Sequence, residues 1–190
     1  GVGNLEAKHS NLRNVFMSTL DHEDVTIMRS NPAFAGAEIF QYDYLNDDVT
    51  DFGEIDYGLS GKVPQALRQA IADARAGKKG AKPILVLINP PYAEATSSDN
   101  AVSQGEDRSK KGVARSRYSL AGMDEFGKAS NELFTQFLAR AYKELPNAKV
   151  ATFSTLKYVN SQALDVFREA WQASYLGGFV VHSRAFDGLK

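Results

Sequence analysis

The sequence contains no cysteine, which excludes disulfide bonds, zinc–thiolate sites and thiol nucleophiles. Its three histidines, His9, His22 and His182, do not have the spacing of metal ligands. Three acids surround His22, and a helix N-terminus explains them better than a metal site does. A chain without cysteine is compatible with a reducing compartment, so we expect a cytoplasmic protein that binds no metal.

Long apolar runs and a strong charge imbalance are also missing. The longest apolar runs, such as residues 84–88, have the length of a strand, whereas a membrane span needs roughly 18 or more apolar residues. Lys and Arg number 22 against 23 Asp and Glu, a formal net charge of -1, so any basic surface must be local. The chain has 190 residues, of which 43% are hydrophobic, and this composition predicts one folded domain outside the membrane.

The two ends of the sequence suggest a fragment. The N-terminus lacks both an initiator Met and the basic and apolar regions of a signal peptide. The C-terminus follows an apolar segment without a closing signal. We therefore expect residues 1–190 to be one domain cut from a longer protein.

The order of apolar and amphipathic segments predicts an α/β fold. Residues 83–88 are the most apolar segment and do not alternate, so we expect a central strand that is buried on both faces. Strands that alternate with helices predict a mostly parallel sheet with helices on both faces. We expect strands at 14–20, 37–42, 83–88, 149–154 and 179–181. We expect amphipathic helices between Asp21 and Pro32, before Gly77, at 133–145 and between Ser161 and Gly177.

Residues 97–122 interrupt this pattern because polar residues dominate and almost no large apolar residue is present to anchor them. We expect a long mobile loop, and loops of this length in compact domains are often functional. Its basic residues either contact nucleic-acid phosphates or keep a solvated loop soluble, and the sequence leaves both interpretations open. The basic residues in one ten-residue window are Arg108, Lys110, Lys111, Arg115 and Arg117.

The segment Asn89-Pro90-Pro91-Tyr92 follows the predicted central strand, at the carboxyl end where open α/β sheets bind ligands. Two prolines fix the backbone and leave its carbonyl groups available as acceptors. The side-chain oxygen of Asn89 and the carbonyl oxygen of Pro90 can accept both hydrogens of an exocyclic amine, while the Tyr92 ring stacks on the attached base. The alternative is a proline-rich turn, which requires neither Asn89 nor Tyr92.

This tetrapeptide resembles the catalytic motif of S-adenosylmethionine-dependent amino-group DNA methyltransferases, especially the adenine-N6 enzymes of bacterial restriction-modification systems. The resemblance implies catalytic roles for Asn89, Pro90, Pro91 and Tyr92, with the target base of double-stranded DNA flipped into the site. It also implies a three-layer Rossmann-like fold. Asn at the first position favours adenine, because the N4-cytosine enzymes more often carry Ser or Asp there.

The same resemblance implies a cofactor site for S-adenosylmethionine. Gly1 and Gly3 look like the end of the family's glycine-rich loop, where a missing Cβ permits close backbone approach. Asp21, 18 residues after Gly3, is placed to bind a ribose hydroxyl, and Asp43 ends the strand whose last residue bonds the cofactor adenine. Helix capping or solvation explains each acid equally well.

Further parts of the protein are implied as well. The strand that precedes the glycine-rich loop in the family is absent before Gly1, so the sheet is expected to lack its first strand. A target-recognition domain or subunit and a nuclease are expected as partners. RNA methyltransferases and protein-glutamine methyltransferases use similar tetrapeptides and remain alternatives. A third alternative is a non-catalytic DNA-binding fragment of a modification complex.

Overall fold

The structure is a computed structural model, and it describes residues 11–91 and 114–182. These residues contain four short strands: β1 (Phe16–Thr19), β2 (Glu38–Gln41), β3 (Leu85–Ile88) and β4 (Lys149–Thr152). The helices are α1 (His22–Ser30), α2 (Gln65–Arg75), α3 (Arg117–Ala121), α4 (Leu133–Glu144), α5 (Lys157–Asn160) and α6 (Asp165–Ala170). Segments of 3₁₀ helix lie at Leu12–Asn14, Pro32–Phe34, Asp124–Asn131 and Gln162–Leu164. No helix in these two ranges is long and apolar enough to cross a membrane.

The strands form two parallel pairs. β1 pairs with β2, with Phe16 opposite Glu38, and β3 pairs with β4, with Leu85 opposite Lys149. Parallel neighbours need a crossover connection, and α1 supplies it between β1 and β2 while α3 and α4 lie between β3 and β4. The predicted mixture of helices and parallel strands is therefore present, but the described strands form two small sheets in place of the one sheet expected.

The main hydrophobic core lies between α4, the 3₁₀ segment Asp124–Asn131 and α6. Phe134 and Leu138 are one turn apart on α4 and are both buried, as the helical spacing predicts. The rings of Phe126 and Phe167 lie 5.4 Å apart within this core. A smaller core under the first strand pair joins α1 to β2 and consists of Val25, Met28, Phe34 and Ile39.

β3 is less buried than its apolar sequence predicts. Leu85 and Leu87 are 68% and 38% exposed, while Val86 and Ile88 on the other face are half-buried. The expectation of a strand buried on both faces was therefore wrong. An apolar run shows that a strand is suited to burial, but only neighbouring elements can cover its faces, and here one face is left largely uncovered.

The C-terminal part of the described chain also differs from expectation. Phe179 and Val180 form no strand and are each 80% exposed, so the predicted strand at 179–181 was wrong. The preceding helix ends at Ala170, well before Gly177, and Ser161 makes no side-chain cap to it. High β-propensity does not produce a strand where no neighbouring strand pairs with it.

Part of the expected mobile loop is a helix. Residues 92–113 lie outside the described ranges, but α3 begins at Arg117, and the Ser116 Oγ caps it by accepting a hydrogen bond of 3.0 Å from the Ser119 amide. Tyr118 is only 1% exposed and belongs to the main core. The expectation of a loop was therefore wrong from Ser116 onward, because Tyr118 is a large aromatic anchor within an otherwise polar sequence.

Candidate functional site at the carboxyl ends of the strands

Asp21 and Asp43 lie at the same edge of the first strand pair. Hydrogen bonding continues beyond the paired residues, because the amide of Tyr42 donates to the carbonyl oxygen of Thr19 at 2.9 Å. Two residues after the last paired residues of the strands, Thr19 and Gln41, the chain reaches Asp21 and Asp43. Both acids therefore stand at the carboxyl edge of the pair, which is the edge where open parallel sheets bind ligands.

Asp21 begins α1 as its N-cap. Its Oδ1 accepts a hydrogen bond of 2.9 Å from the amide of Glu23, and Glu23 and Asp24 add negative charge to the first turn. The capping interpretation is thus confirmed for Asp21. The cap uses one of about four acceptor positions on a carboxylate, so the exposed Asp21 remains able to accept a bond from a ligand. Across residues 11–91 and 114–182, no three His, Asp or Glu side chains are grouped as metal ligands.

Asp43 begins a compact turn over residues 43–48, called here the Asp43 turn. The Asp43 Oδ1 accepts from the amide of Leu45 at 3.2 Å, and Oδ2 accepts from the Asn46 side chain at 2.8 Å. The amide of Asp43 itself donates to the Asp47 carboxylate at 2.8 Å. These bonds hold the half-buried carboxylate of Asp43 in one direction.

The Asp43 turn also contacts the start of α3. The amide of Arg117 donates to Asn46 Oδ1 at 2.8 Å, and the amide of Tyr118 donates to the Leu45 carbonyl at 3.0 Å. The chain that returns from the Asn89 motif is therefore attached to the turn that carries Asp43.

Two of the five predicted DNA-contacting residues, Arg115 and Arg117, lie in the described ranges, and both are exposed. The guanidinium of Arg117 is 3.2 Å from the carboxylate of Asp51, and Arg115 donates to Asn131 at 3.2 Å. Exposed ion pairs contribute only about 0–1 kcal/mol, so a phosphate can replace such a partner. The other predicted residues, Arg108, Lys110 and Lys111, lie outside the described ranges.

The second strand pair carries the Asn89 motif at its carboxyl edge. The amide of Phe153 donates to the carbonyl oxygen of Ile88 at 3.2 Å, which extends the β3–β4 pairing to the residue before Asn89. Asn89 and Pro91 are exposed, whereas Pro90 is buried. The Asn89 side chain thus lies on the surface, and the next residue of the motif, Pro90, is buried. Tyr92, Gly1 and Gly3 lie outside the described ranges.

A buried polar cluster next to the Asp43 turn was not predicted from the sequence. Arg140 on α4 is completely buried, and its Nε lies 3.2 Å from the equally hidden carboxylate of Glu144. Its Nη2 donates to the Tyr42 hydroxyl at 2.7 Å. Its Nη1 donates to the carbonyl oxygen of Tyr44 and, at 3.1 Å, to that of Asp47. One guanidinium therefore bonds three residues in or next to the Asp43 turn.

Tyrosine hydroxyl groups complete this cluster. Tyr44 donates to Glu144 at 3.0 Å, Tyr57 donates to the other carboxylate oxygen, and Tyr42 donates to Asp48 at 3.0 Å. Burial raises the pKa of Tyr42, Tyr44 and Tyr57, so these hydroxyl groups stay protonated.

Arg140 stays charged inside this cluster. Burial alone would lower the pKa of Arg140, but the neighbouring charge of Glu144 raises it above its ordinary value. A sequence signal for the cluster existed, because Arg140 follows Phe137 by three residues and Leu133 by seven, which places it on the inner face of α4.

A groove of about 310 Å³ lies at the opposite end of the second strand pair. It is formed by the end of α2, by residues 81–84 before β3 and by residues 145–148 before β4. It contains none of the predicted site residues.

No protein-family model matches the chain, and neither a curated protein nor a solved structure is similar to it. The motif, the two strand-terminal acids and the contacts described above are therefore the observations that bear on function.

Proposed function

We propose that the chain is the catalytic domain of an S-adenosylmethionine-dependent DNA methyltransferase that modifies adenine N6 in a restriction-modification system. The observation that carries this proposal is the position of Asn89 and Pro90 directly after β3, at the carboxyl edge of a parallel pair. Asp21 and Asp43 lie at the carboxyl edge of the other parallel pair, β1 and β2. In a parallel sheet this edge is where ligand-binding groups converge.

The proposed fold is a Rossmann-like sheet in which one further strand, from residues upstream of Gly1, joins the two pairs. Lys82, before β3, donates to the Asn14 side chain, before β1, at 3.0 Å. The amino ends of the two pairs are therefore in contact. A parallel strand between β1 and β3 would give a continuous sheet in the order β2, β1, upstream strand, β3, β4.

The strand-terminal acids suit S-adenosylmethionine by their chemistry. Its ribose hydroxyls and adenine amine are hydrogen-bond donors, and a carboxylate is an acceptor for both. We assign Asp21 to the ribose and Asp43 to the adenine amine, with Gly1 and Gly3 beside the methionine part. When bound, the cofactor supplies a methyl group activated by its attachment to a sulfonium.

Asn89 and Pro90 act on the target amine. The lone pair of an aromatic amine is conjugated into the ring, which makes the amine a poor nucleophile. Two acceptors that hold both amine hydrogens, the Asn89 side-chain oxygen and the Pro90 carbonyl, favour the pyramidal form whose lone pair can attack. Positioning and electrostatics of this kind need no thiol or histidine, and Tyr92 is assigned to stacking on the flipped base.

Replacing Asn89 tests the proposal. In a protein that includes the upstream strand, Asn89→Ala is expected to lower methyl transfer to adenine in duplex DNA by about 100-fold or more, the usual effect of removing one group that acts in the transition state. The fold should be unchanged because the side chain is exposed. Asn147→Ala is the matched control, because Asn147 is an equally exposed amide before β4, at the other end of the pair.

Two results would contradict the proposal. Unchanged turnover of Asn89→Ala would remove the catalytic assignment. Methyl transfer by the unaltered protein to RNA or to a glutamine peptide, with none to DNA, would replace the proposed substrate by one of the alternatives.

A further inference from the structure

The Asp43 turn is attached to the body of the protein through its carbonyl groups. The carbonyl oxygen of Asp43 accepts within the turn, and that of Leu45 accepts from α3. The carbonyl oxygens of Tyr44 and Asp47 both accept from Nη1 of Arg140. Arg140, which lies almost 100 residues later in the sequence, therefore bonds the turn near both of its ends.

Stability alone is a poor explanation for this arginine. Desolvation of a buried ion pair offsets much of its attraction, and apolar residues of similar volume often serve a core at least as well. A planar guanidinium, however, fixes the direction of each partner that it bonds. Arg140 bonds Glu144, Tyr42 and two backbone carbonyls at once, and its guanidinium carbon lies 4.3 Å from the centre of the Tyr44 ring.

We propose that Arg140 is a positioning residue that sets the direction of the Asp43 carboxylate and thereby the selectivity of the site for the adenine amine of the cofactor. This inference rests on the proposed function. Arg140 does not touch the ligand: it holds the Tyr44 and Asp47 carbonyls, and those residues flank the bonds that Asp43 makes to Leu45 and Asn46.

Lysine in place of Arg140 separates positioning from charge. Arg140→Lys keeps the positive charge opposite Glu144, but a single ammonium group cannot reach two carbonyls, a hydroxyl and a carboxylate in the planar arrangement of a guanidinium. We expect the Asp43 turn to stay attached to α3 through the Leu45 carbonyl, but the backbone that carries the Leu45 amide and Asn46 shifts once the Tyr44 and Asp47 carbonyls are released. The bonds that fix the Asp43 carboxylate are thereby weakened, and the carboxylate loses its fixed direction.

The test compares S-adenosylmethionine with S-inosylmethionine, in which an oxo group replaces the adenine amine. Binding of both is measured by calorimetry in a protein that includes the upstream strand. The unaltered protein is expected to prefer the amine form by about tenfold or more, the scale of a hydrogen bond to a charged group. In Arg140→Lys this preference should fall to less than about threefold, with circular dichroism unchanged.

Leu138→Ala serves as the control for a merely structural role. Leu138 is buried on the same helix and packs in the main core, so the substitution destabilises the fold without removing a bond to the turn. Its preference for the amine form should be that of the unaltered protein. If Arg140→Lys fails to fold, Tyr42→Phe is compared with the unaltered protein in its place. It removes the hydroxyl that accepts a hydrogen bond from Nη2 of Arg140.

The outcomes separate the inference from the proposed function. Absence of binding by the unaltered protein would contradict both. A second outcome is that the unaltered protein binds with a preference that Arg140→Lys, or Tyr42→Phe in its place, keeps in full. That result would overturn the role of Arg140 and leave the proposed function intact. An equal loss of preference in Leu138→Ala would also overturn it, because general destabilisation would then explain the effect.

Discussion

A Cβ atom on Gly53 would lie 2.5 Å from the Cα atom of Gly122, and closer still to the carbonyl oxygen of Ala121. The backbone after Thr50 thus lies directly against the end of α3. Gly53 also has a φ of +76°, which disfavours any residue with a side chain. Only glycine at position 53 permits this approach between two segments that are almost 70 residues apart.

Gly53→Ala is therefore expected to destabilise the domain strongly. A positive φ costs alanine about 1–2 kcal/mol. The backbone overlap with α3 should add roughly 1–3 kcal/mol, the usual cost of overpacking. Gly61→Ala isolates the first effect, because Gly61 has a φ of +64° and nothing within 4 Å of its Cβ position. Free energies of unfolding from urea titrations should differ between the variants, and equal losses would show that the close approach does not occur.

Tyr118→Phe is expected to stabilise the protein. The hydroxyl of Tyr118 is buried, and it finds no hydrogen-bond partner among residues 11–91 and 114–182. A buried polar group without a partner costs about 1–3 kcal/mol, so its removal should raise the free energy of unfolding by roughly 1 kcal/mol. Tyr42→Phe should have the opposite effect, because the Tyr42 hydroxyl bonds both Arg140 and Asp48. A loss of stability in Tyr118→Phe would mean that this hydroxyl has a partner.

Alkaline pH is expected to unfold the domain cooperatively. Burial raises the pKa of Tyr42, Tyr44, Tyr57 and Tyr118 above the ordinary value of 10.0. Above pH 10 the unfolded chain loses these protons while the folded chain retains them, so stability is complete below about pH 10 and falls as pH rises. Each such tyrosine should contribute a loss of about 1.4 kcal/mol per pH unit.

The measurement is a pH titration of tyrosinate absorbance together with circular dichroism. The two signals should change together. Tyr57→Phe should reduce the slope of the free energy of unfolding against pH by the contribution of one tyrosine. If the buried tyrosines ionised gradually, with circular dichroism unchanged, the cluster would be accessible to solvent.

Arg115 and Arg117 are expected to contact DNA phosphates. Replacing both by Gln should weaken binding to all duplex sequences alike and reduce the log-log salt slope by about 0.9 for each phosphate that the protein no longer neutralises. Exchange of Lys78 and Lys79 for Gln is the control, since it removes the same charge from the segment that follows α2. Affinity measured from low to moderate salt decides the outcome, and equal slopes for the two double variants would assign the arginines to the solvated surface. The substitution can then be extended to Arg108, Lys110 and Lys111.

Periodicity in the sequence was sufficient to predict most elements of the fold. The spacing of Leu67, Ile71 and Ala74 predicts α2, and short apolar segments predict β1 to β4 within a few residues. Periodicity fails where neighbouring elements decide the outcome. The exposure of Leu85 depends on which elements pack against the sheet, and the burial of Tyr118 depends on the main core, which also contains the distant Val49.

The candidate site was predictable where it follows directly from strand ends. Asp21, Asp43 and Asn89 each follow an apolar strand, and parallel pairing places residues of this kind at one edge. The Arg140 cluster was missed because charged residues are ordinarily assigned to the solvated face of a helix. Only the tertiary fold shows that Arg140 bonds two carbonyls and a hydroxyl from residues 42–47, in addition to the carboxylate of Glu144 on its own helix.

The bond between Tyr44 and Glu144 joins residues that are 100 positions apart, and the bond from Arg140 to the Tyr44 carbonyl spans 96. Contacts of such long range form late, because the chain between them must first be brought into place. The Asp43 turn is consequently expected to reach its final geometry only after α4 docks. A nascent or partly folded chain would therefore have its helices before it had a completed Asp43 turn.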